Sequence, residues 1–386
     1  MRLYLNYCDM FFTAFHLIAV DIIVKTRREF ERIAASHIRE ILGPGVEVEP
    51  APMGYLGVVF VKGLGEGKWR AAEQIANRVP EADRVLVVEG LVKAELGEIE
   101  RAAAEVARRY ITASDTFAIR TTRRGAHSFT SIEVNVRAGA AVKEATGAEV
   151  DLEEPSKPLY IEIFQDTAAI CIPATKEYRK LRRDKPLALH VFRKVALGQF
   201  VYEGDEEAVR KMGERIGRAV QTFEVGELTI LLHKPVQGRA LRAFIQAVEE
   251  GIESRYQIQV KSYGRAVWKV PVYVYELYQY VRAREGEPIV VTDPKGDYIT
   301  HVKERLAELF ARDRVNILIG AREGVPPGVF RFASLVVDLV PEVTIATDFV
   351  VPSLAIALIS ALEEAGALPK YAGKRPKTPT HARHDR

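Results

Sequence analysis

At 386 residues the chain is long enough for two or three domains, and a hydrophobic fraction of 48% supports packed cores rather than disorder. Its 55 basic and 52 acidic residues leave a net charge of +3, too small to argue for nucleic-acid binding by itself, so only local clustering of positive charge can carry that argument. The two cysteines, Cys8 and Cys171, are far apart and the histidines are scattered, which argues against a disulfide framework and a metal site, and no run reaches the ~18 apolar residues of a membrane span.

The first sixteen residues hold Met10-Phe11-Phe12 and Phe15 but no basic leader region, a poor signal peptide, and the chain reads as cytoplasmic. Residues 1–89 then give a small α+β layer. Its predicted elements are a strand over Leu17–Lys25, a helix over Arg28–Leu42 stopped by Gly43-Pro44-Gly45, a strand over Leu56–Val61, a helix over Trp69–Val79 and a strand over Arg84–Val88.

Residues 90–185 hold the densest basic segment, Arg120 to Phe129, with Arg120, Arg123, Arg124, His127 and Phe129. Guanidinium groups grip phosphate oxygens in forked pairs, and an aromatic ring can stack on an exposed base. On composition alone the same residues make a solvated basic turn. The alternation Ile132, Val134, Val136 predicts a strand, Ala138–Thr146 a helix and Leu159–Phe164 a further strand. A basic run follows, Lys176, Arg179, Lys180, Arg182, Arg183 and Lys185, against only Glu177 and Asp184. It is either a solvated linker or a phosphate-tracking one.

Residues 186–369 alternate strands and helices, which implies a parallel sheet with helices on both faces. The predicted helices are 203–218, 239–253, 272–284, 298–312 and 353–364, and the predicted strands are 227–232, 258–261, 288–292, 315–319 and 334–339. Ligands of such sheets bind beyond the carboxyl ends of the strands. Three loops there are notable, the first two with glycines and the third with polar residues: Thr292 to Asp297, Gly320 to Gly328, and Pro341 to Phe349. No G-x-G-x-x-G fingerprint follows a strand and no phosphate-binding P-loop is present. Residues 370–386 read as a disordered basic tail. Asparagine is rare while Glu, Arg and Lys abound, a bias that fits adaptation to high temperature.

The segment over roughly residues 90–185 resembles the THUMP domain, an RNA-binding module of tRNA-modifying enzymes. The resemblance rests on Phe117, Ile119, Arg120, Arg124, Gly125, His127, Phe129, Val150-Asp151-Leu152, Pro155 and Ile161-Glu162-Ile163. It implies recognition of the acceptor end of tRNA, and a ferredoxin-like α+β domain in residues 1–89. Residues 227–366 resemble the SPOUT methyltransferases, through Ile317-Leu318-Ile319-Gly320, Gly324, Gly328, Thr344-Ile345-Ala346-Thr347 and Val351 to Leu362. The expected fold is thus multidomain α/β, ending in a parallel-sheet SPOUT domain closed by a trefoil knot. The resemblance implies S-adenosylmethionine near Thr292, Ile319, Gly320, Gly324, Thr344, Ala346 and Thr347, and a homodimer through the SPOUT domain. Arg239 or Arg242, on the helix after Leu231-Leu232-His233-Lys234-Pro235, would activate the target; Asp293 is a base or donor ligand, or equally a turn residue before Pro294. The expected reaction is methylation of tRNA at a ribose 2′-hydroxyl in or near the acceptor stem. A base nitrogen is the nearer alternative, and a non-catalytic RNA-binding protein the competing class.

Overall fold

The β-branched runs near the N-terminus join a sheet larger than their own predicted layer. The structure, a computed structural model, describes residues 19–178, 182, 184–321 and 323–370, and the chain divides between residues 180 and 181 into two compact units. The first unit contains β1 (Ile22–Lys25), α1 (Glu31–Leu42), β2 (Glu47–Pro50), β3 (Val58–Lys62), α2 (Lys68–Arg78) and β4 (Arg84–Lys93). It continues with α3 (Leu96–Tyr110), β5 (Thr116–Arg124), α4 (Ser131–Thr146), β6 (Glu149–Val150), β7 (Lys157–Phe164) and β8 (Thr167–Pro173).

All these strands form one sheet, in the order β2-β3-β1-β4-β8-β7-β5-β6. The domain border expected at 89/90 falls inside β4, whose first residues pair with β1 and whose later ones run along β8. One strand, with a register shift at Glu89, therefore belongs to both halves. Alternate residues divide the core. Val24, Val59 and Val87 pack with Ala34, Ile38, Ala72 and Ile75 of α1 and α2. Ile119, Ile161 and Ile170 pack with α3 and α4. Ile23, Phe60, Leu86, Tyr160, Phe164 and Cys171 form a separate cluster.

The strand expected over Ile132–Val136 is instead the start of α4. The Thr130 side chain accepts a hydrogen bond from the Glu133 amide at 3.1 Å, so a Thr-x-x-Glu cap fixes the helix start. Ile132 and Val136, one helical turn apart, stand 74% and 66% exposed while Val134 is buried.

The second unit contains α5 (Ala188–Lys194), β9 (Val195–Phe200), α6 (Glu206–Phe223), β10 (Glu227–Leu232), α7 (Gly238–Ser262), β11 (Val272–Glu276) and α8 (Leu277–Ala283). It ends with β12 (Ile289–Tyr298), α9 (Lys303–Phe310), β13 (Val315–Ile319), α10 (Pro327–Phe330), β14 (Leu335–Asp338) and α11 (Thr347–Glu364). The sheet is parallel throughout, in the order β11-β10-β9-β13-β12-β14. The last strand thus lies beyond β12, on the side away from β13.

Three expectations change here. The central strand β9 had no predicted counterpart; a Cβ on its Gly198 would lie 2.7 Å from a δ-methyl of both Leu231 and Leu318. The strand expected over 258–261 is the end of α7, held by Gln259, whose buried amide donates to the Gln221 carbonyl at 3.0 Å. The helix expected over 272–284 is β11 followed by α8: the Val-Tyr-Val-Tyr alternation favours a strand, and Glu276 caps α8 by accepting from the Tyr278 and Gln279 amides. In α11, Val351, Leu354, Ala355, Leu358, Ala361 and Leu362 are buried in the unit's own core. Among the described residues no helix is long and apolar enough to cross a membrane, and no group of three His, Cys, Asp or Glu side chains gathers into a metal site.

Candidate active site

β13, β12 and β14 lie side by side and deliver three loops to one end of the second unit's sheet. The Thr292 hydroxyl donates to the Leu318 carbonyl at 3.2 Å and ties the first two strands together. Beyond Thr292, β12 bulges: Thr292 and Asp297 both sit opposite Val337, and residues 293–296 leave the ladder. Asp293 is buried in this bulge. Its Oδ1 accepts from the Lys295 amide at 3.0 Å, a turn contact. Its Oδ2 lies 3.5 Å from where a Cβ on Gly324 would stand.

Gly320 and Gly324 are explained by the loop folding onto itself. A Cβ on Gly320 would lie 2.8 Å from the Gly324 main chain, and Gly324 has φ +73°, which favours glycine. The space beside Gly320 is therefore filled by its own loop. Within the same loop, Glu323 accepts from Lys234 Nζ at 2.9 Å and lies 3.4 Å from His233 Nε2. The Lys234 hydrogen bond lowers the Glu323 pKa, and the Glu323 contact raises that of Lys234. His233 stacks on Phe200 with centroids 5.2 Å apart. Thr292, Ile319, Gly320, Gly324 and Asp293 are thus neighbours. Thr344 and Ala346 are exposed on the loop after β14, and Thr347 opens α11.

The two candidate arginines stand apart from this arrangement. Arg239 is 85% exposed and paired with Glu206 at 2.7 Å; Arg242 is exposed on the next turn. Both belong to α7, which follows β10, whereas the strand beside β13 is β9, followed by α6. Among the described residues no hydrogen bond or ion pair joins either arginine to the three loops. An arginine that sequence reasoning missed, Arg215 of α6, pairs at 2.8 Å with Asp348 in the first turn of α11.

In the first unit, alternation along β5 separates the basic residues. Arg124 faces the sheet interior, where Glu162 Oε2 accepts from Arg124 Nη1 at 2.8 Å and from Lys25 Nζ at 2.6 Å. Burial lowers the Lys25 pKa, and Glu162 opposes that shift. Arg124 is therefore held by an ion pair with a buried carboxylate. Phe129 is buried, with His127 5.2 Å away and the Arg123 guanidinium 5.8 Å above it, so it is no platform for a base. His127 Nε2 bonds the Gln165 carbonyl at 2.7 Å. Arg120 reaches the Leu152 carbonyl at 2.5 Å. In the basic run Lys176 is exposed, while Arg182 grips Asp184 through two bonds of 3.0 and 2.7 Å. Arg179, Lys180 and Arg183 lie outside the described residues, as do the first sixteen residues and 371–386 of the tail.

Comparison with known proteins agrees with this division. Residues 189–383 match the family described as AF2226-like SPOUT RNA methylase fused to THUMP, and residues 93–172 match the THUMP domain. An uncharacterized protein of Methanocaldococcus jannaschii is 36% identical over 339 residues, covering 87% of this chain and 92% of that protein. A tRNA (guanine(6)-N2)-methyltransferase of Thermus thermophilus is 33% identical over 93 residues, 24% of this chain and 27% of that enzyme. Among solved structures, TrmN from Thermus thermophilus aligns over 80% of this chain and 92% of its own, at 18% identity and a TM-score of 0.33.

Proposed function

Because the chain belongs to the family of SPOUT RNA methylases fused to THUMP, we propose that it methylates a base nitrogen of tRNA, with the Asp293 carboxylate as proton acceptor. SPOUT is the trefoil-knot class of methyltransferases, and its methyl donor is S-adenosylmethionine. When bound, that donor supplies an electrophilic methyl group on its sulfonium. Three loops at this end of the sheet would hold it: Thr292, Ile319 and the glycine loop of Gly320 and Gly324 on adjacent strands, and Thr344, Ala346 and Thr347 after β14.

The observation that carries the reading is the position of Asp293, a buried carboxylate in the β12 bulge facing Gly324. An exocyclic amino group or ring N–H that takes up a methyl group must lose its proton, and Oδ2 is the oxygen not engaged by the Lys295 amide. The Thermus relative's name supports tRNA and a base nitrogen. A ribose 2′-hydroxyl is the second reading, since Asp293 Oδ2 would serve equally as acceptor of a hydroxyl proton. The test compares tRNA incubated with donor and enzyme against untreated tRNA, by nucleoside mass spectrometry and alkaline hydrolysis. A methylated base at an alkali-sensitive linkage is expected. An alkali-resistant linkage would overturn it, because a 2′-O-methyl cannot attack the adjoining phosphate.

The proposed phosphate contacts of the first unit are Arg123, which lies over Phe129, and the exposed Lys176, with Arg120 on the opposite face of β5. The proposed homodimer uses Phe349 and Ile356 of α11, seven residues apart on one stripe and 61% and 67% exposed. Ile356→Glu should convert the dimer to monomer in light scattering.

A further inference from the structure

One pairing rung crosses the whole second sheet: Val337, Thr292, Ile319, Gln199, Ile230 and Val274, on β14, β12, β13, β9, β10 and β11. Two of these residues are polar. Thr292 uses its hydroxyl on the Leu318 carbonyl. Gln199 is fully buried in the central strand. Its Nε2 lies 3.1 Å from the Phe200 carbonyl and 3.5 Å from the carbonyl of Gly320, the first residue of the glycine loop. Those two oxygens fix the amide orientation, since a flipped amide would set oxygen against oxygen. Gln199 Oε1 is then left with no hydrogen-bond partner among the described residues.

A buried acceptor without a partner is costly, and an apolar residue of similar length would fill the same volume without that cost. The amide sits at the root of the loop assigned above to the methyl donor. We propose that Gln199 is a further donor-binding residue, whose Oε1 accepts a hydrogen bond from an N–H group of S-adenosylmethionine. The inference rests on reading the three loops as the donor site. The ligand offers two such groups, the adenine amino group and the methionine ammonium.

The test is Gln199→Met in the full-length protein, titrated calorimetrically with S-adenosylmethionine, S-adenosylhomocysteine and 5′-methylthioadenosine, with ligand-free melting measured alongside. Affinity for the first two should fall at least tenfold, while the ligand-free melting temperature holds or rises, because an unpaired amide has been removed. A parallel loss for 5′-methylthioadenosine assigns the contact to the adenine; no loss there assigns it to the ammonium. Donor affinity within twofold of wild type overturns the proposal, and a lowered melting temperature with that unchanged affinity makes Gln199 a packing residue. If wild type itself does not bind the donor, the reading of the loops fails instead. Should Gln199→Met not fold, a crystal of wild type with S-adenosylhomocysteine decides. A ligand nitrogen within hydrogen-bond distance of Oε1 supports the proposal, and its absence overturns it.

Discussion

Arg124 and Asp293 each stand at or near the end of a buried strand, and their surroundings differ in one respect. Arg124 stays in register, opposite Phe164, and its guanidinium turns inward to Glu162. Asp293 leaves its ladder in a bulge and turns toward a glycine loop, with one oxygen free of the turn contact. A charge that keeps its place in a pleated sheet is held by the sheet's own interior. A charge lifted out by a bulge meets a surface that can open to a ligand. Positive charge along β5 is therefore partly structural, whereas the carboxylate beside Gly324 keeps an oxygen that the turn contact does not engage.

The strongest way to break that comparison is Gly320→Val. A side chain there collides with the main chain of Gly324, so the loop must reopen. Donor affinity should fall more than about 100-fold, the scale expected when backbone contacts to a ligand are lost together. Binding of tRNA through the first unit should persist. Calorimetric titration decides: donor affinity within fivefold of wild type would show that this loop does not hold the donor.

Asp293→Asn and Glu162→Ala sharpen the contrast, because one should lower rate and the other stability. Asn keeps the turn contact to the Lys295 amide but cannot take a proton. Single-turnover transfer should slow by about 10²–10⁴ with donor affinity nearly unchanged. Removing Glu162 leaves Lys25 and Arg124 facing each other without their shared carboxylate. Stability of the first unit should drop by about 3 kcal/mol, read by calorimetry. The pH dependence has a definite sign. Burial lowers the folded-state pKa of Lys25 below its usual 10.5, so between those two values the unfolded chain holds more protons. The contribution of Lys25 to stability should rise with pH through that window and level off above it. Lys25→Met should flatten that rise in denaturant titrations; an unchanged slope would mean that the ammonium is not desolvated.

Legibility followed the strength of local signals. β13 occupies its predicted residues 315–319, because a short apolar run bounded by polar residues has few other solutions. The glycine loops were recognisable from position and composition. The central strand β9 was not, since a strand containing Gly198 and Gln199 matches neither period, and only the packing of Leu231 and Leu318 explains the glycine. The face chosen by each arginine of β5 depends on register with β7, which appears only when the strands pair. Phe129 was misplaced for the same reason: an aromatic in a basic turn is exposed or buried according to what packs over it, here α3 and α4.

The smallest expected effect tests the β5 assignment residue by residue. Arg123→Ala should weaken tRNA binding and lower the salt slope by about one charge, since each lost phosphate contact releases about one counterion fewer. Its guanidinium lies over the Phe129 ring with no ion pair among the described residues. Arg124→Ala should leave the salt slope within error and instead lower the melting temperature of the first unit, because its partner Glu162 is fully buried. Filter binding over a salt series, paired with thermal melts of the same proteins, measures both. If Arg124→Ala reduces the salt slope as much as Arg123→Ala while leaving the melt unchanged, its guanidinium leaves Glu162 for RNA, and the contrast between in-register and bulged charge does not hold for β5.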